Sequence, residues 1–137
     1  MRRSLVFPLL VIGLAACSDS TGLSDVAVIP TKSLYVTGEI PSAQIVNQSE
    51  NNISHNNNGL RVEKLQGTAW LLIGPENLPD LLPLGLVIGA GGTSTLQVVP
   101  EKPLEPGTYR LRFEFTQWGK GDANISYSPE FRVEEGV

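Results

Sequence analysis

Few residues in this sequence could do chemistry, and one stands apart by its position. Cys17 is the only thiol in 137 residues and directly follows Ala15-Ala16. A single Cys rules out an internal disulfide and a multi-Cys metal site. His55 is the only imidazole. A zinc site takes three or four suitable ligands, and the neighbouring Asn residues and scattered carboxylates do not supply them. A Ser-His-Asp triad can assemble from distant residues, but nothing here resembles a nucleophile elbow. The 14 acidic residues are spread along the chain, as on a solvated surface, rather than paired as glycosidase carboxylates are. There is no G-x-x-x-x-G-K-[ST] loop, and Gly89 to Gly92 lacks the strand-helix setting of a phosphate cradle. Asn47-Gln48-Ser49, Asn52-Ile53-Ser54 and Asn124-Ile125-Ser126 match the glycosylation sequon but read as turn formers. No catalytic residue and no metal site are therefore expected.

Two stretches could form an interface instead. Leu81 to Ala90 (LLPLGLVIGA) is the most apolar run outside the N-terminus, with Leu81 and Leu82 at its head. It reads either as a buried strand plus a loop or as an exposed apolar patch for a partner. Trp118 lies before Gly119-Lys120-Gly121, at the expected tip of a hairpin. Trp is a common interface anchor and Lys120 adds a charge beside it; the alternative is a Trp folded back on its own hairpin. Formal charge is −4 and the basic residues are not clustered, so no nucleic-acid partner is expected.

The N-terminus sets where these residues are held. Met1-Arg2-Arg3 is basic, and Ser4 to Leu14 is apolar apart from Ser4. This is the n-region and h-region of a secretory signal, too short for the roughly 20 residues that span a bilayer. Leu14-Ala15-Ala16-Cys17 resembles the lipobox of bacterial lipoproteins. The resemblance implies a diacylglycerol thioether on Cys17, cleavage before it, and an acyl chain such as palmitate on the new amine. Small residues before the Cys let the peptidase approach, and the thiol is the nucleophile. Residues 1–16 would be a signal peptide and 17–25 a lipidated Cys with a polar tether. Loss of Arg2 and Arg3 leaves eight basic against 14 acidic side chains, a net −6. Ser18 after the Cys favours the outer membrane by resemblance to Gram-negative sorting rules. The tether, Ser18 to Asp25, reaches roughly 26 to 29 Å when stretched.

Residues 26–137 show no sustained 3.6 period, and 14 Gly with 10 Pro argue against a helical bundle. Short β-type runs stand between Gly, Pro, Asn and Ser. They are Val26–Ile29, Leu34–Val36, Ala43–Val46, Ile53–His55, Leu60–Leu65, Trp70–Ile73, Leu84–Ala90 and Thr93–Val99. Gly107–Thr116 follows, and Ile125–Tyr127 with Phe131–Val133 forms one strand kinked at Pro129. Asn56-Asn57-Asn58-Gly59 predicts a tight turn. Gly107–Thr116 is the clearest strand: Tyr109, Leu111, Phe113 and Phe115 face one way, Arg110, Arg112 and Glu114 the other. Leu60 and Val62 point inward in the same manner, with Arg61 and Glu63 outward. Seven to nine strands predict a single antiparallel β-sandwich.

Leu104-Glu105-Pro106-Gly107-Thr108-Tyr109-Arg110-Leu111 resembles the corner before strand F of immunoglobulin-like sandwiches. There a Tyr hydroxyl bonds the backbone a few residues upstream. Leu111 stands where antibody domains carry their second Cys, and Trp70 is a candidate for the core Trp of strand C. The stretch Leu34 to Val133 also resembles immunoglobulin-like domains of uncharacterised bacterial lipoproteins. The motifs are Asn47-Gln48-Ser49, Gly67 to Trp70 and Pro106 to Arg110. Such domains often carry a Cys pair in the middle of the domain; this chain has Asn56 to Asn58 in one such region and no Cys in either, so here the sandwich would be held by packing alone.

The expected protein is a lipid-anchored envelope module, non-enzymatic, with the membrane and an envelope protein as partners. A protease inhibitor is the alternative, using Glu76 to Pro83 or Gln117 to Asp122 as its loop; a hydrolase is weaker still. Cys17→Ala should leave a form that no longer partitions with membranes on fractionation. Unchanged partitioning would rule out the anchor.

Overall fold

The computed structural model describes residues 25–76 and 85–136. The expected signal peptide, Cys17, most of the expected tether, Leu81 and Leu82 lie outside the described residues. Among those described there is no helix, and eleven strands run in chain order. They are β1 (Val26–Pro30), β2 (Leu34–Val36), β3 (Ser42–Asn47), β4 (Ile53–His55), β5 (Leu60–Gln66) and β6 (Ala69–Leu72). Then come β7 (Leu86–Ile88), β8 (Thr93–Gln97), β9 (Gly107–Gln117), β10 (Ala123–Tyr127) and β11 (Phe131–Glu134). Two sheets pack as a sandwich. One is β1-β3-β8; the larger is centred on β9.

The 11-residue β9 organises the larger sheet. Tyr109, Leu111, Phe113 and Phe115 are at most 5% exposed, because alternation puts every second side chain on the dry face. One edge of β9 pairs with β10 and β11, the other with β5 and β4. β6 adds to β5 and β7 to β4. The count exceeds the expected seven to nine because two strand lines are broken. β10 and β11 are separated by Ser128-Pro129-Glu130, where the Leu111 N–H donates to Ser128 Oγ and the Ser128 N–H to the Leu111 carbonyl. The Ser128 hydroxyl passes the bond on to the Pro129 carbonyl at 2.7 Å, so the Leu111 N–H is satisfied by a side chain at the break.

The second break is the tight turn expected at Asn56–Gly59, closed by the Gly59 N–H to the Asn56 carbonyl at 3.2 Å. β4 and β5 both pair with the same edge of β9, so the segment interrupts one strand line instead of reversing it. Asn56 Oδ1 accepts from the Asn58 N–H, and the Gly59 carbonyl accepts from the Glu114 N–H. A Cβ on Gly59 would sit 3.1 Å from the Glu114 carbonyl oxygen, so the position suits glycine. The antiparallel expectation has an exception: β2 runs parallel to β11.

Trp70 is a second correction. The inward positions of the central strand β5 are Leu60 and Val62, at 2% and 1% exposure. Trp70 lies on β6, half-buried and opposite Leu65, outside the core. The core joins Val26, Val28, Ala43 and Ile45 of one sheet to Ile53, Leu60, Val62, Phe113 and Phe131 of the other. Its rings stack at Tyr109–Phe131 (5.9 Å) and meet edge-on at Tyr35–Phe131 (5.3 Å).

Polar clasps close the sandwich. Asn47 is fully buried. Its Nδ2 donates to the carbonyls of Asn51, Ile88 and Gly89, and its Oδ1 accepts from the Ser49 N–H and hydroxyl. The end of β3 is thereby tied to β7 in the other sheet. At the opposite corner the Tyr109 hydroxyl donates to the Glu105 carbonyl at 2.6 Å. Burial, then the Glu105 charge, pushes the Tyr109 phenol above its usual range, which keeps it a donor. Tyr109→Phe removes that donor and should cost about 1 to 3 kcal/mol. Urea unfolding measures it, and a neutral result would leave Tyr109 a packing role only.

Candidate functional site

The register of the larger sheet gathers residues on its outer face. Cross-strand partners share a face. Ile125 lies opposite Glu114 and Tyr127 opposite Arg112. On the other side of β9, Arg61 lies opposite Arg112 and Glu63 opposite Arg110, while Leu72 of β6 follows Glu63. Three arginines, 61, 110 and 112, therefore meet on one face, although they are dispersed along the chain. Sequence spacing gave the direction of each side chain; only the register shows that they meet.

Arg110 is the centre of this face. Its guanidinium carbon lies 3.9 Å from the Tyr127 ring centroid and 4.5 Å from that of Trp70. Tyr127 comes from β10 and Trp70 from β6, on the two sides of the β9–β5 pair. Glu63 Oε1 accepts from Arg110 Nε at 2.8 Å and lies 2.8 Å from its NH2. The Glu63 side chain is 11% exposed and that of Arg110 24%. A planar, weakly hydrated guanidinium can stack on rings while keeping a carboxylate in its plane, which an ammonium cannot do. The result is a charged group held in one orientation, flanked by exposed Tyr127 and Ile125 (46% and 42%). Trp70, read as a core residue, is here a stacking partner for an arginine.

The other sequence candidates fall elsewhere. Trp118 sits in the β9–β10 turn at 53% exposure, and its ring does not fold back to burial. The turn is shaped by the Lys120 N–H to the Gln117 carbonyl, with Gly119 at φ 86° and Gly121 at φ 80°. Those positive values suit glycine. Trp118 is also tied to the end of β4 through its own N–H to the Asn52 carbonyl. Lys120 is exposed beside it. In the apolar run, Leu86 and Val87 are exposed at 40% and 51% and Ile88 is buried.

His55 is a packed residue. It is 7% exposed, its Nδ1 donates to the Asn56 carbonyl, and its ring meets Phe113 edge-on at 5.2 Å. Burial lowers its imidazole below the ordinary value, against the opposing effect of the Asn56 bond. It lines an apolar pocket of about 380 Å³ with Leu86, Leu96, Val98, Val99 and Glu101 among its walls. Among the described residues no group of three His, Cys, Asp or Glu side chains is placed to hold a metal. No described helix is long and apolar enough to cross a membrane.

No family model matches this chain, and no curated protein sequence matches it. Among solved structures it is similar to an alkylpurine DNA glycosylase, AlkC, of Pseudomonas fluorescens, bound to DNA containing an abasic site analog. Identity is 12% and the TM-score 0.36, over 81% of this chain and 31% of that one. The present chain thus spans about a third of the length of that protein.

Arg110→Ala should cost about 2 to 3 kcal/mol in urea unfolding, from two cation–π contacts and a partly buried ion pair. Arg110→Lys should recover less than half of it. A Lys variant as stable as the parent would show that stacking contributes nothing.

Proposed function

We propose that this chain is a non-enzymatic binding module of the bacterial envelope, held by lipid on Cys17. Its outer face on β10, β9, β5 and β6 meets a partner protein. The observation that carries the reading is the fixed Arg110 between Trp70 and Tyr127, with exposed Ile125 and Tyr127 beside it. Arg and large aromatic residues carry most interface binding energy. An ordered arginine also loses little side-chain entropy on association. The lipobox-like Leu14-Ala15-Ala16-Cys17 supports the anchor, and the polar tether supports presentation of the domain at a membrane surface.

The same reading takes residues 26–137 as one immunoglobulin-like domain. Its support is the strand order. β1-β3-β8 corresponds to strands A, B and E. The kinked β10/β11, then β9, then the kinked β4/β5, then β6 correspond to G, F, C and C′. Tyr109, two residues before Leu111, makes the bond of a tyrosine corner.

A protease inhibitor is the second reading, favoured by Trp118 standing 53% exposed at the tip of a hairpin. Addition of the purified protein to envelope proteases distinguishes it, because only an inhibitor lowers their activity.

Crosslinking of the native lipoprotein in intact envelopes tests the main reading. The parent should give a discrete adduct with a protein, and Ile125→Glu should reduce it at least fivefold while membrane partitioning is unchanged. An adduct of equal yield from Ile125→Glu, or no adduct from the parent, would overturn it.

A further inference from the structure

Beside the Arg110 cage lies a polar pocket that the partner surface does not explain. It has a volume of about 220 Å³ and is lined by Asn56, Asn58, Gly59, Arg61, Glu76, Arg112 and Glu114. Arg61 is 5% exposed. Its NH2 donates to the carbonyls of Ile73 and Pro75, at 3.1 and 2.6 Å, and its Nε has no hydrogen-bond partner. Among the described residues no carboxylate oxygen lies within 4.0 Å of this guanidinium. Burial lowers its pKa, and the positive charge of Arg112 lowers it further.

A buried cation without a counter-charge is costly, and a second cation directly opposite adds to the cost. Arg112 is that second cation, paired with Arg61 across the β5–β9 ladder. Its one carboxylate among the described residues is Glu114, at a long 3.5 Å, and the Glu114 side chain is half exposed. The pocket therefore holds two guanidinium groups and two carboxylates, of which only Glu114 lies within 4.0 Å of a guanidinium, at a long 3.5 Å. The two backbone carbonyls fix Arg61 in place without neutralising it.

We propose that this pocket binds one oxyanion group, a carboxylate or a phosphate, between Arg61 and Arg112. The Arg112 fork matches the oxygens of both groups, while Arg61, its NH2 held by two carbonyls and its Nε buried, contributes its uncompensated charge. An incoming anion replaces Glu114 at Arg112, and the freed carboxylate turns into water at little cost because it is already half exposed. The volume accommodates one such group with a few waters, so the anion is either free or the acidic end of a larger molecule. Glu76 and Glu114 line the same pocket, which limits the ligand to one negative group at the floor. The arrangement depends neither on the lipid anchor nor on a protein partner, since it stands on the geometry of β5, β9 and the Asn56–Gly59 segment.

The test is a backbone amide NMR titration of the full-length protein in a non-ionic detergent. Sodium phosphate, sodium acetate and glucuronate are the probes, each against sodium chloride at equal ionic strength. Saturable shifts of Asn58, Gly59, Arg61 and Arg112 are expected for at least one probe. Arg112→Gln should weaken binding at least tenfold, and Arg132→Gln, a substitution on β11, should not change it. Saturation by acetate or phosphate supports a free small anion. Saturation by glucuronate alone supports the acidic end of a larger molecule. No saturable shift with any probe, or equal binding in folded Arg112→Gln, would overturn the proposal. Because the probes are small ions, this result stands apart from the crosslinking of a partner.

Discussion

The period of two along β9 is the constraint on which the rest depends. The strand bonds to neighbours on both edges, so its register cannot slip without breaking four ladders. With Tyr109, Leu111, Phe113 and Phe115 committed to the core, Arg110, Arg112 and Glu114 are committed to the outer face. A one-residue slip would place two arginines between the sheets, at the cost of burying unpaired charge. The same alternation that builds the core therefore builds the candidate site.

Once the arginines are held there, their surroundings decide what each can do. Arg110 has a carboxylate and two rings that hold it in one orientation. Arg61 has only backbone carbonyls at its NH2, and its charge is left uncompensated. One strand pair thus carries an arginine fixed and paired beside one with unused electrostatic capacity. The sandwich around them is closed by side chains acting in place of backbone. Asn47 joins the sheets, Ser128 receives the Leu111 N–H at the break between β10 and β11, and Tyr109 fastens the corner. A chain whose one Cys, Cys17, lies outside the described residues holds its domain by these bonds and by packing.

Much of the fold was legible because it rests on local alternation. The β9 faces, the inward Leu60 and Val62, and the break at Pro129 all follow from residue type and spacing. Properties that depend on register were not legible. Arg110 and Trp70 are forty positions apart, and no local signal brings them together. Trp70 was expected in the core only through the likeness to strand C of immunoglobulin-like sandwiches, but the register puts it on β6 opposite Leu65 and on the face of Glu63. The tight turn at Asn56–Gly59 was legible, but that it interrupts one strand line along β9 follows only from the pairing of β4 and β5 with the same edge. Asn47 read as a turn former, and its reach to Ile88 exists only after the sheets have met.

The central claim is that the outer face is a fixed, preorganised surface built on β9. Its most direct test is the side-chain guanidinium NMR spectrum of the protein, read for rotation and solvent exchange at each arginine. Arg132, at 66% side-chain exposure and paired only with the half-exposed Glu134 at 3.2 Å, serves as the solvent-exposed reference. Arg110 and Arg61 should show hindered rotation and slow Nε–H exchange relative to it. Averaged, rapidly exchanging signals from all three would contradict the account.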